Sequence, residues 1–387
     1  MMGKKIVFFT HGKVNPHEES GMSRIVYYRT KYLKRLGYDV EVISVFEDVD
    51  HHEIFTRDEI LSVNLFPRIY IPLGFKHSEL KKYLDANRGD IDIFDFNLMW
   101  FYDKVPVGKY LNQEGIPYIV TTHCAYSKDK IAHKPLKKNF AKYSYELPFL
   151  NRSSGIVAQT PEELSGLRSF GVSAHIYIYS IEIDDDEISA ISNSEPFQLD
   201  GLLKLGWVGN ITPVKNLHNL IKGIGILPES YRNHIKLYLV GNAKDKAYKE
   251  RLDKLIMEYK LEDNVVFLGP KYREDKYRFL KSIDCYIHTS TSENISLAVL
   301  EAMAAGKPLI ISRTSEVSYL YKYDFFVMVE PWYDHIAEGI MNFMDLNSKE
   351  REIMGMTAFE IVKSKFSVGV LIDKYVNIVN QVLNRRE

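Results

Sequence analysis

Two glutamates in one short stretch could bind hydroxyl groups. Glu293 and Glu301 lie in SENISLAVLEAMAAGKPLI, residues 292–310. Glu293 precedes a helical pattern that Ser296 or Asn294 can cap, and Glu301 lies inside that helix. A helix start attracts an anion, and carboxylates accept the paired hydrogen bonds that vicinal sugar hydroxyls donate. The spacing fits a ligand in which two sugars flank a phosphate group, although glutamates on a solvated surface helix would share it.

A lysine near two glycines could hold that phosphate. In LGWVGNITPVKN, Gly206 and Gly209 flank the end of a predicted strand and allow close approach of a ligand to the backbone. Lys215 follows just before the next helix, where its ammonium could neutralise a diphosphate. Lysine is common at helix starts, so this interpretation gains weight only because the glutamates share the same half of the chain.

The other reactive side chains give weaker signals. His123 follows a predicted strand, where it could orient an acceptor or handle a proton, or be structural. Asp184–Asp186 is an acidic run that we expect to be solvated. The two cysteines, Cys124 and Cys285, have no metal or redox spacing, which predicts a reducing compartment without disulfides. We expect no metal site and no cofactor.

The elements that position these residues alternate along the chain, as short apolar runs and amphipathic helical patterns. This rhythm predicts parallel sheets covered by helices on both faces, an α/β fold. Ser23 is the expected N-cap of the first helix and Gly37 its end. The predicted strands are KKIVFFT, DVEVISV, IDIFDFN, PYIVTTH and GIVAQT in the first half, and LLKLGWVGN, IKLYLVGN, NVVFLGP, DCYIHTS and PLIIS in the second.

The alternation of predicted strands and helices is interrupted once, which predicts two domains. The acidic stretch at residues 182–201 shows no clear hydrophobic periodicity and is the expected linker. We predict an N-terminal domain at residues 1–190, a C-terminal domain at residues 191–365 and a last helix at residues 366–387. Ligands bind beyond the carboxyl ends of parallel strands, so two such sheets facing each other would line a cleft with loops from both.

Composition excludes several classes of function. The chain has 387 residues, 45% hydrophobic and 26% charged, and a net charge of −1. This charge gives no general attraction to nucleic acid, and we expect no nucleic-acid partner. No apolar run is long enough for a signal peptide or a membrane span. We therefore expect a cytoplasmic protein, with a lysine-rich segment, Lys128–Lys142, that could contact the inner face of the membrane or be a solvated helix face.

Taken in order, these motifs resemble a known family. The stretch ENISLAVLEAMAAGKP is similar to the E-x7-E signature of the retaining glycosyltransferases of the GT-B fold, most closely glycosyltransferase family 4. VGNITPVKN resembles the glycine and basic-residue phosphate loop of that family. In the first half, ESGMSRIVYYRTKYLKRLG resembles its glycine loop and first helix, and VTTHCAYS its histidine segment. The resemblance covers nearly the whole chain and implies two Rossmann-like domains facing across a cleft, with the last helix returning to the N-terminal domain.

The resemblance also implies a role for each matching residue. Glu293 would hold hydroxyls of the donor hexose, Glu301 the nucleotide ribose and Lys215 the diphosphate, while His123 would lie near the transferring sugar and the acceptor. The catalytic residues would then be Glu293, His123 and Lys215. The remaining donor-binding positions would be Gly21, Gly209, Asn210, Gly269, Tyr272, Asn294, Ile295, Ser296 and Leu297.

The implied reaction is a metal-independent hexosyl transfer with retention. A nucleotide sugar would be the donor, and a glycan or lipid-linked molecule the acceptor, in bacterial surface polysaccharide or glycolipid synthesis. The nucleobase, the sugar, the acceptor and the oligomeric state are not legible in the sequence. Trp100 and Tyr102 are further candidates for stacking on a sugar.

Departures from the family pattern keep alternatives open. Asn210 stands where the family usually has an arginine, Ser296 where it often has a glycine, and Ser180 with Ile181 where it has an Asn-Gly pair. The alternatives are a phosphorylase or sugar-phosphate-acceptor enzyme on the same fold, and a non-catalytic nucleotide-sugar-binding partner subunit. Activity with inorganic phosphate would distinguish the former, and binding without turnover the latter.

Overall fold

The computed structural model consists of two compact units. It describes residues 3–14, 21–56, 60–69, 72–127, 130–131, 135–292, 296–313 and 320–385, except the side chains of residues 72, 73 and 135–137. The first unit comprises Met1–Glu182 and Val368–Glu387, and the second comprises Ile183–Ser367. The chain therefore leaves the first unit eight residues before the predicted boundary at residue 190, and re-enters it two residues after the predicted start of the last segment at residue 366.

The first unit is built on an eight-stranded sheet with the order β3-β4-β2-β1-β5-β6-β7-β8. Every neighbouring pair is parallel except β3 and β4, which are antiparallel. In register, Lys5 lies opposite Asp39 and Ile6 opposite Ile93. The strands are β1 Lys5–His11, β2 Asp39–Phe46, β3 Glu53–Thr56, β4 Ser62–Pro67, β5 Ile93–Phe96, β6 Tyr118–Thr121, β7 Gly155–Ala158 and β8 Ile176–Ile178.

The second unit is built on a six-stranded sheet with the order β11-β10-β9-β12-β13-β14. All of its neighbouring pairs are parallel. The strands are β9 Leu203–Val208, β10 Ile235–Val240, β11 Val265–Gly269, β12 Cys285–His288, β13 Leu309–Ser312 and β14 Phe326–Val329. The predicted α/β class with two Rossmann-like domains is thus confirmed.

Helices connect the parallel strands in both units. In the first unit they are α1 Gly21–Arg35, α2 Pro72–Lys76, α3 Glu79–Asn87, α4 Lys104–Gln113, α5 Pro135–Ala141, α6 Leu147–Asn151 and α7 Pro161–Phe170. In the second they are α8 Asp185–Ser192, α9 Leu217–Gly225, α10 Glu229–Arg232, α11 Lys246–Glu258, α12 Arg273–Ser282, α13 Leu297–Ala304, α14 Tyr333–Asp345 and α15 Ser348–Ile361. The last helix, α16 Val368–Asn384, belongs to the first unit and packs against α1.

Local sequence explains where several helices begin and end. Thr160 caps α7 by accepting a hydrogen bond from the Glu163 N–H, and Gly171 ends it with a φ of 101°. Asn347 and Glu350 form a reciprocal capping box at the start of α15. Ser23 is not the N-cap of α1, because the helix already includes Gly21 and the Ser23 side chain is buried. That prediction was wrong, since a serine can also pack inside a helix.

Each unit has its own apolar core. Residues 6–9 of β1 are completely buried, as expected for a central parallel strand covered on both faces. The core of the first unit includes Phe9, Phe94 and Phe96, and the core of the second includes Trp207 and Leu237. Among the described residues, no helix is both long enough and apolar enough to cross a bilayer.

The predicted linker is an ordered part of the fold. Residues 185–192 form α8, and Asp184 caps it by accepting a hydrogen bond from the Asp186 N–H at 3.1 Å. Glu182 is fully buried and pairs with Arg29. The expectation of a solvated acidic run is therefore wrong for Asp184, which is only 5% exposed. Acidic residues without apolar periodicity can still start a short helix when one of them supplies the cap.

Candidate functional site

The order of strands in the second unit places a crevice at the carboxyl ends of β9 and β12. The chain runs from β9 to β10 on one side and later returns to β12 on the other side. Loops leaving such neighbouring strands diverge, and open α/β sheets bind ligands at this point. The loop after β9 contains residues 209–216, and the loop after β12 leads to α13. The predicted donor-binding residues Gly209, Asn210 and Lys215 lie in the first of these loops, and Ser296 lies at the end of the second.

Glycines let the backbones beyond β9 and β10 meet closely. A Cβ atom on Gly241, the residue after β10, would lie 1.7 Å from the carbonyl oxygen of Gly209. A Cβ atom on Gly209 would lie 3.0 Å from the Trp207 ring and 3.6 Å from Cε of Lys215. The Lys215 side chain thus passes over the predicted glycine turn. It brings a positive charge close to the backbone of that turn. Gly241 was not among the predicted site residues.

Hydrogen bonds hold the Lys215 loop to its neighbours. Lys215 ends a single 3₁₀ turn, Pro213–Lys215, and its carbonyl oxygen accepts a hydrogen bond from the Thr289 hydroxyl at 3.2 Å. The next residue, Asn216, has a φ of 60° and is fully buried. Its Nδ2 donates to the carbonyl oxygens of Thr289 at 3.0 Å and Pro331 at 2.7 Å. Asn216 therefore connects the loops after β9, β12 and β14, a role that the sequence pattern did not reveal.

The remaining predicted positions near these loops differ in exposure. Asn210 is exposed beside the glycine turn. Gly269 ends β11 with a φ of 70°, and its carbonyl oxygen accepts the N–H of Gly241 at 3.0 Å. Tyr272 is the residue before α12 and is 52% exposed. An exposed aromatic ring beside these turns could cover the face of a nucleobase.

The start of α13 is only partly described. Glu293, Asn294 and Ile295 lie outside the described residues. Ser296 is the N-cap residue and is buried, but its side chain makes no capping hydrogen bond in the described part of the chain. Leu297, the first residue of α13, is buried in the core of the second unit. The first backbone N–H groups of a helix have no partner within the helix, so this end can accept an anion.

Glu301 is a buried acid with a cationic partner. It is 2% exposed, and its Oε1 lies 2.6 Å from Nζ of Lys276 on α12. The same Nζ is 4.0 Å from Glu187 on α8, and the Tyr277 hydroxyl donates to Glu187 at 2.7 Å. Glu301 is therefore not a solvated surface glutamate. Lys276 was not predicted, because nothing in the sequence pairs it with a residue 25 positions away.

In the first unit, His123 lies in a sharp turn at the carboxyl end of β6. His123 and Cys124 have φ values of 47° and 56°, a left-handed conformation that is uncommon for such residues. The imidazole is 3% exposed, and its Nε2 lies 2.7 Å from Oδ1 of Asn97. Burial, followed by the positive charge of Arg29, lowers the pKa of His123 to about 3. Strained backbone of this kind is frequent at functional sites.

The His123 turn is supported from two sides. Glu163 on α7 accepts hydrogen bonds from the backbone N–H groups of Gln159 at 2.9 Å and Tyr126 at 3.4 Å. Burial raises the pKa of Glu163 to about 7. Trp100, considered from the sequence as a stacking residue, donates its indole N–H to the Ala125 carbonyl oxygen at 3.4 Å. These contacts make Trp100 and Glu163 supports of the turn.

A buried charged cluster lies beneath this turn. The Arg29 guanidinium bonds Glu182 at 2.9 Å and lies 3.6 Å from Asp95. Its Cζ is 4.8 Å and 4.6 Å from the ring centres of Tyr179 and Tyr375. The Tyr375 hydroxyl on α16 donates to Asp95 at 2.7 Å. Four segments far apart in sequence meet here, which no local motif could have predicted.

Several of the predicted residues contact neighbours within their own unit. In the second unit the structure places Lys215 over Gly209, sets Gly209 and Gly269 on either side of Gly241, and buries Glu301 on Lys276. In the first unit it buries His123 with Nε2 facing Asn97, while Gly21 begins α1 at partial exposure. Within the described residues, no group of three or more His, Cys, Asp or Glu side chains is placed to hold a metal ion.

Comparison with known proteins identifies the family. Residues 20–185 match the family model Glycosyltransferase Family 4, and residues 194–360 match the model Glycosyl transferases group 1. Mannosylfructose-phosphate synthase of Agrobacterium fabrum is 24% identical over 340 residues, which cover 78% of this chain and 74% of that protein.

Solved structures share the fold at lower identity. Sucrose-phosphate synthase from Thermosynechococcus elongatus matches with a TM-score of 0.78 and 16% identity, over 99% of this chain and 100% of that chain. HepE of Anabaena, solved in complex with UDP and glucose, matches with a TM-score of 0.74 and 18% identity, over 98% and 100%. Together the two family models cover most of the sequence, and the chain is therefore a glycosyltransferase with the GT-B fold that belongs to glycosyltransferase family 4.

Proposed function

We propose that this glycosyltransferase moves a hexose from a nucleotide sugar to a hydroxyl group of a glycan or lipid-linked acceptor, with retention at the anomeric carbon. The proposal is carried by one observation, the buried Glu301 carboxylate held on Lys276 in the unit where Lys215 overlies the Gly209 turn. An acid and a cation in this setting suit a ligand that contains both a ribose and a diphosphate.

On the donor side, each group would have one task. Glu301 would accept hydrogen bonds from the two ribose hydroxyls, with Lys276 compensating its buried charge. Lys215 and the start of α13 would hold the diphosphate, and the ring of Tyr272 would lie against the base. Glu293 would bind hydroxyls of the hexose, as the family signature implies. The closely packed glycine turns at Gly209 and Gly241, which carry no side chains, would let the phosphates approach the backbone closely.

Catalysis would depend on stabilising the leaving group. The bond between the anomeric carbon and the phosphate oxygen breaks as the sugar becomes oxocarbenium-like, and negative charge grows on the diphosphate. Lys215 and the helix N-terminus would stabilise that charge without a metal ion. The acceptor hydroxyl would attack from the face that the diphosphate leaves, and its proton could pass to the departing phosphate oxygen on that face. Retention would follow from this geometry.

The test begins with binding and continues with the product. A thermal-shift panel of UDP, GDP, ADP and CMP, each alone and as its sugar nucleotides, should give one responding base without added metal. Ligand at about 100 times its dissociation constant should stabilise the protein by roughly 2.7 kcal/mol. UDP is the first probe, because HepE was solved with it. Proton NMR of the product should then show the anomeric configuration of the donor; an inverted product, or no responding nucleotide, would contradict the proposal.

A phosphorylated sugar is the second candidate acceptor. The relative from Agrobacterium fabrum is, by its name, a synthase of mannosylfructose phosphate, and it aligns with most of this chain. A panel of free hexoses, hexose phosphates and lipid-linked glycans, each with the responding nucleotide sugar, separates the acceptors. Release of nucleotide only with hexose phosphates would favour the second candidate. Surface polysaccharide or glycolipid synthesis would then be the wrong pathway.

A further inference from the structure

The side chain of Asn97 has an orientation that can be deduced from its neighbours. Asn97 follows β5 and is fully buried. Its Nδ2 lies 3.1 Å from the backbone carbonyl oxygen of Asp95, and its Oδ1 lies 2.7 Å from Nε2 of His123. A carbonyl oxygen can only accept a hydrogen bond, so the atom facing Asp95 must be the amide nitrogen. The amide oxygen of Asn97 therefore faces the imidazole.

This orientation determines where the imidazole proton lies. An amide oxygen also only accepts, so Nε2 of His123 must carry a hydrogen. Burial and the nearby Arg29 charge lower the pKa of His123 to about 3, so the ring is neutral and holds a single proton. Nδ1 consequently has a lone pair. This nitrogen is buried and has no hydrogen-bond partner among the described residues.

We propose that Asn97 is a positioning residue that holds His123 as the Nε2–H tautomer, so that Nδ1 accepts a hydrogen bond from a hydroxyl group of the sugar substrate. A buried acceptor without a partner is costly, and a substrate hydroxyl would supply the missing donor. The diphosphate of a nucleotide sugar or a carboxylate could not, because neither carries a hydrogen near neutral pH. The identity of the ligand rests on the proposed function, whereas the tautomer does not.

The tautomer can be measured in the free protein. Long-range ¹H–¹⁵N correlation spectra of protein labelled at histidine distinguish a protonated from an unprotonated ring nitrogen. The signals of His123 are those missing from the spectrum of the His123→Gln variant. We expect a protonated Nε2 and an unprotonated Nδ1 at pH 7. A protonated Nδ1, or a doubly protonated ring, would overturn the inference, and this result needs no substrate and no activity.

Two variants test the role of Asn97. Asn97→Leu removes the acceptor that faces Nε2, so we expect a mixture of tautomers and a roughly tenfold to hundredfold lower kcat/KM. Thr121→Val is the matched control, because the Thr121 hydroxyl donates to the carboxylate of Asp95 rather than to Asn97 or His123. It should keep the Nε2–H tautomer. An unchanged tautomer in folded Asn97→Leu would overturn the positioning role, and the wild-type spectrum decides the first step if that variant does not fold.

Added ligands test what Nδ1 binds. UDP-glucose should shift the Nδ1 signal in the direction of an accepted hydrogen bond, and UDP alone should not. If another base responds in the binding panel, its sugar nucleotide and free nucleotide take these places. A nucleotide sugar that binds and turns over without moving Nδ1 would overturn the acceptor role while leaving the proposed function intact. If no nucleotide sugar binds, the proposed function fails, and the free-protein spectrum still decides the tautomer.

Discussion

At the scale of single residues, the ion pair between Lys276 and Glu301 gives a sharp prediction for donor binding. Lys276→Met should weaken binding of the responding nucleotide about tenfold to hundredfold, because it leaves the Glu301 carboxylate buried without its cation. Isothermal titration calorimetry with the nucleotide measures the change. Lys254→Met, at an exposed position of α11, is the matched control and should bind as the wild type does.

A double-mutant cycle shows whether the two residues act together. Glu301→Gln alone should also weaken binding, since the ribose hydroxyls lose a charged acceptor. The double variant Lys276→Met/Glu301→Gln should lose far less than the sum of the two single losses. Additive losses would mean that Lys276 does not support Glu301, and an unchanged affinity in both single variants would remove Glu301 from the nucleotide site.

Lys307, three residues beyond α13, predicts a pH dependence of stability. Burial, then the charge of Lys281, lowers its pKa from the usual 10.5 to about 8. Between these values the unfolded chain binds more protons than the folded chain, so Lys307 makes the free energy of unfolding rise with pH. Below pH 8 the lysine is charged in both states, and its burial costs at most about 3 kcal/mol.

The comparison of Lys307→Met with the wild type isolates this effect. Urea unfolding at pH 7 and pH 9.5 should show that the variant is more stable at the lower pH and that its advantage shrinks at the higher pH. The difference between the two proteins is the readout, because buried tyrosines and Cys285 contribute to both. A constant difference across this range would show that Lys307 titrates normally in the folded protein.

At the scale of secondary-structure elements, the turns after β9 and β10 must pack backbone against backbone. Gly241→Ala places a methyl group 1.7 Å from the Gly209 carbonyl oxygen, so the Gly209 turn must move. We expect a loss of stability of about 2 kcal/mol or more, and weaker nucleotide binding, because the turn also carries Lys215. Urea unfolding and calorimetry measure the two effects.

Gly306→Ala is the matched control for this prediction. Gly306 also has a positive φ, 69°, but among the described residues a Cβ atom there would come no closer than 3.9 Å to a neighbour, the carbonyl oxygen of Gly355. Its cost should be limited to the backbone preference, about 1 kcal/mol, with little change in nucleotide affinity. If Gly306→Ala and Gly241→Ala behave alike, the close contact of the two turns does not matter for binding.

The elements were predictable from the sequence wherever apolar residues form continuous runs. The buried run of β1 is such a case, and the last helix, predicted at residues 366–387, extends over Val368–Asn384. Strands β3, β4, β8 and β14 were missed. Three of them, β3, β8 and β14, are short edge strands, and β3 is largely exposed. An exposed edge strand buries little apolar area and leaves no clear pattern in the sequence.

The site was predictable only as far as its residues follow a local motif. Lys215 and Glu301 lie in recognisable segments. The structure places Lys215 in the loop after β9 and Glu301 on α13. The residues that support the site, Lys276, Asn97 and Asn216, follow no local motif, because their partners are distant in sequence. Arg29 and Glu182 are 153 positions apart, and Tyr375 and Asp95 are 280 positions apart. Such pairs depend on the tertiary fold alone.

At the scale of the whole molecule, the second unit is an insertion into the first. The chain enters the second unit at Ile183 and leaves it at Ser367. These two residues form a parallel bridge, and the Ile183 N–H donates to the Phe366 carbonyl oxygen at 2.9 Å. A unit that is continuous in sequence, has adjacent ends and has its own core can fold alone. The first unit is discontinuous and needs α16.

This arrangement predicts different behaviour for the two halves when they are made separately. A protein comprising residues 183–367 should fold alone and bind the responding nucleotide with nearly the affinity of the full chain, since Lys215, Lys276 and Glu301 all lie within it. Circular dichroism, thermal unfolding and calorimetry measure this. A cooperative transition without nucleotide binding would show that the first unit contributes directly to the nucleotide site.

The fragment of residues 1–182, in contrast, should not fold cooperatively without α16. Without α16, Asp95 and Arg29 lose their contacts with Tyr375. Phe8, whose ring stacks on Tyr375 with centres 6.2 Å apart, also becomes exposed. A peptide of residues 368–387 added in trans should restore a thermal transition. The same peptide with Tyr375→Phe keeps the stacking but cannot donate to Asp95, which leaves a buried carboxylate short of a partner, so it should bind about tenfold more weakly. Cooperative folding of residues 1–182 alone would show that α16 only covers a unit already stable without it.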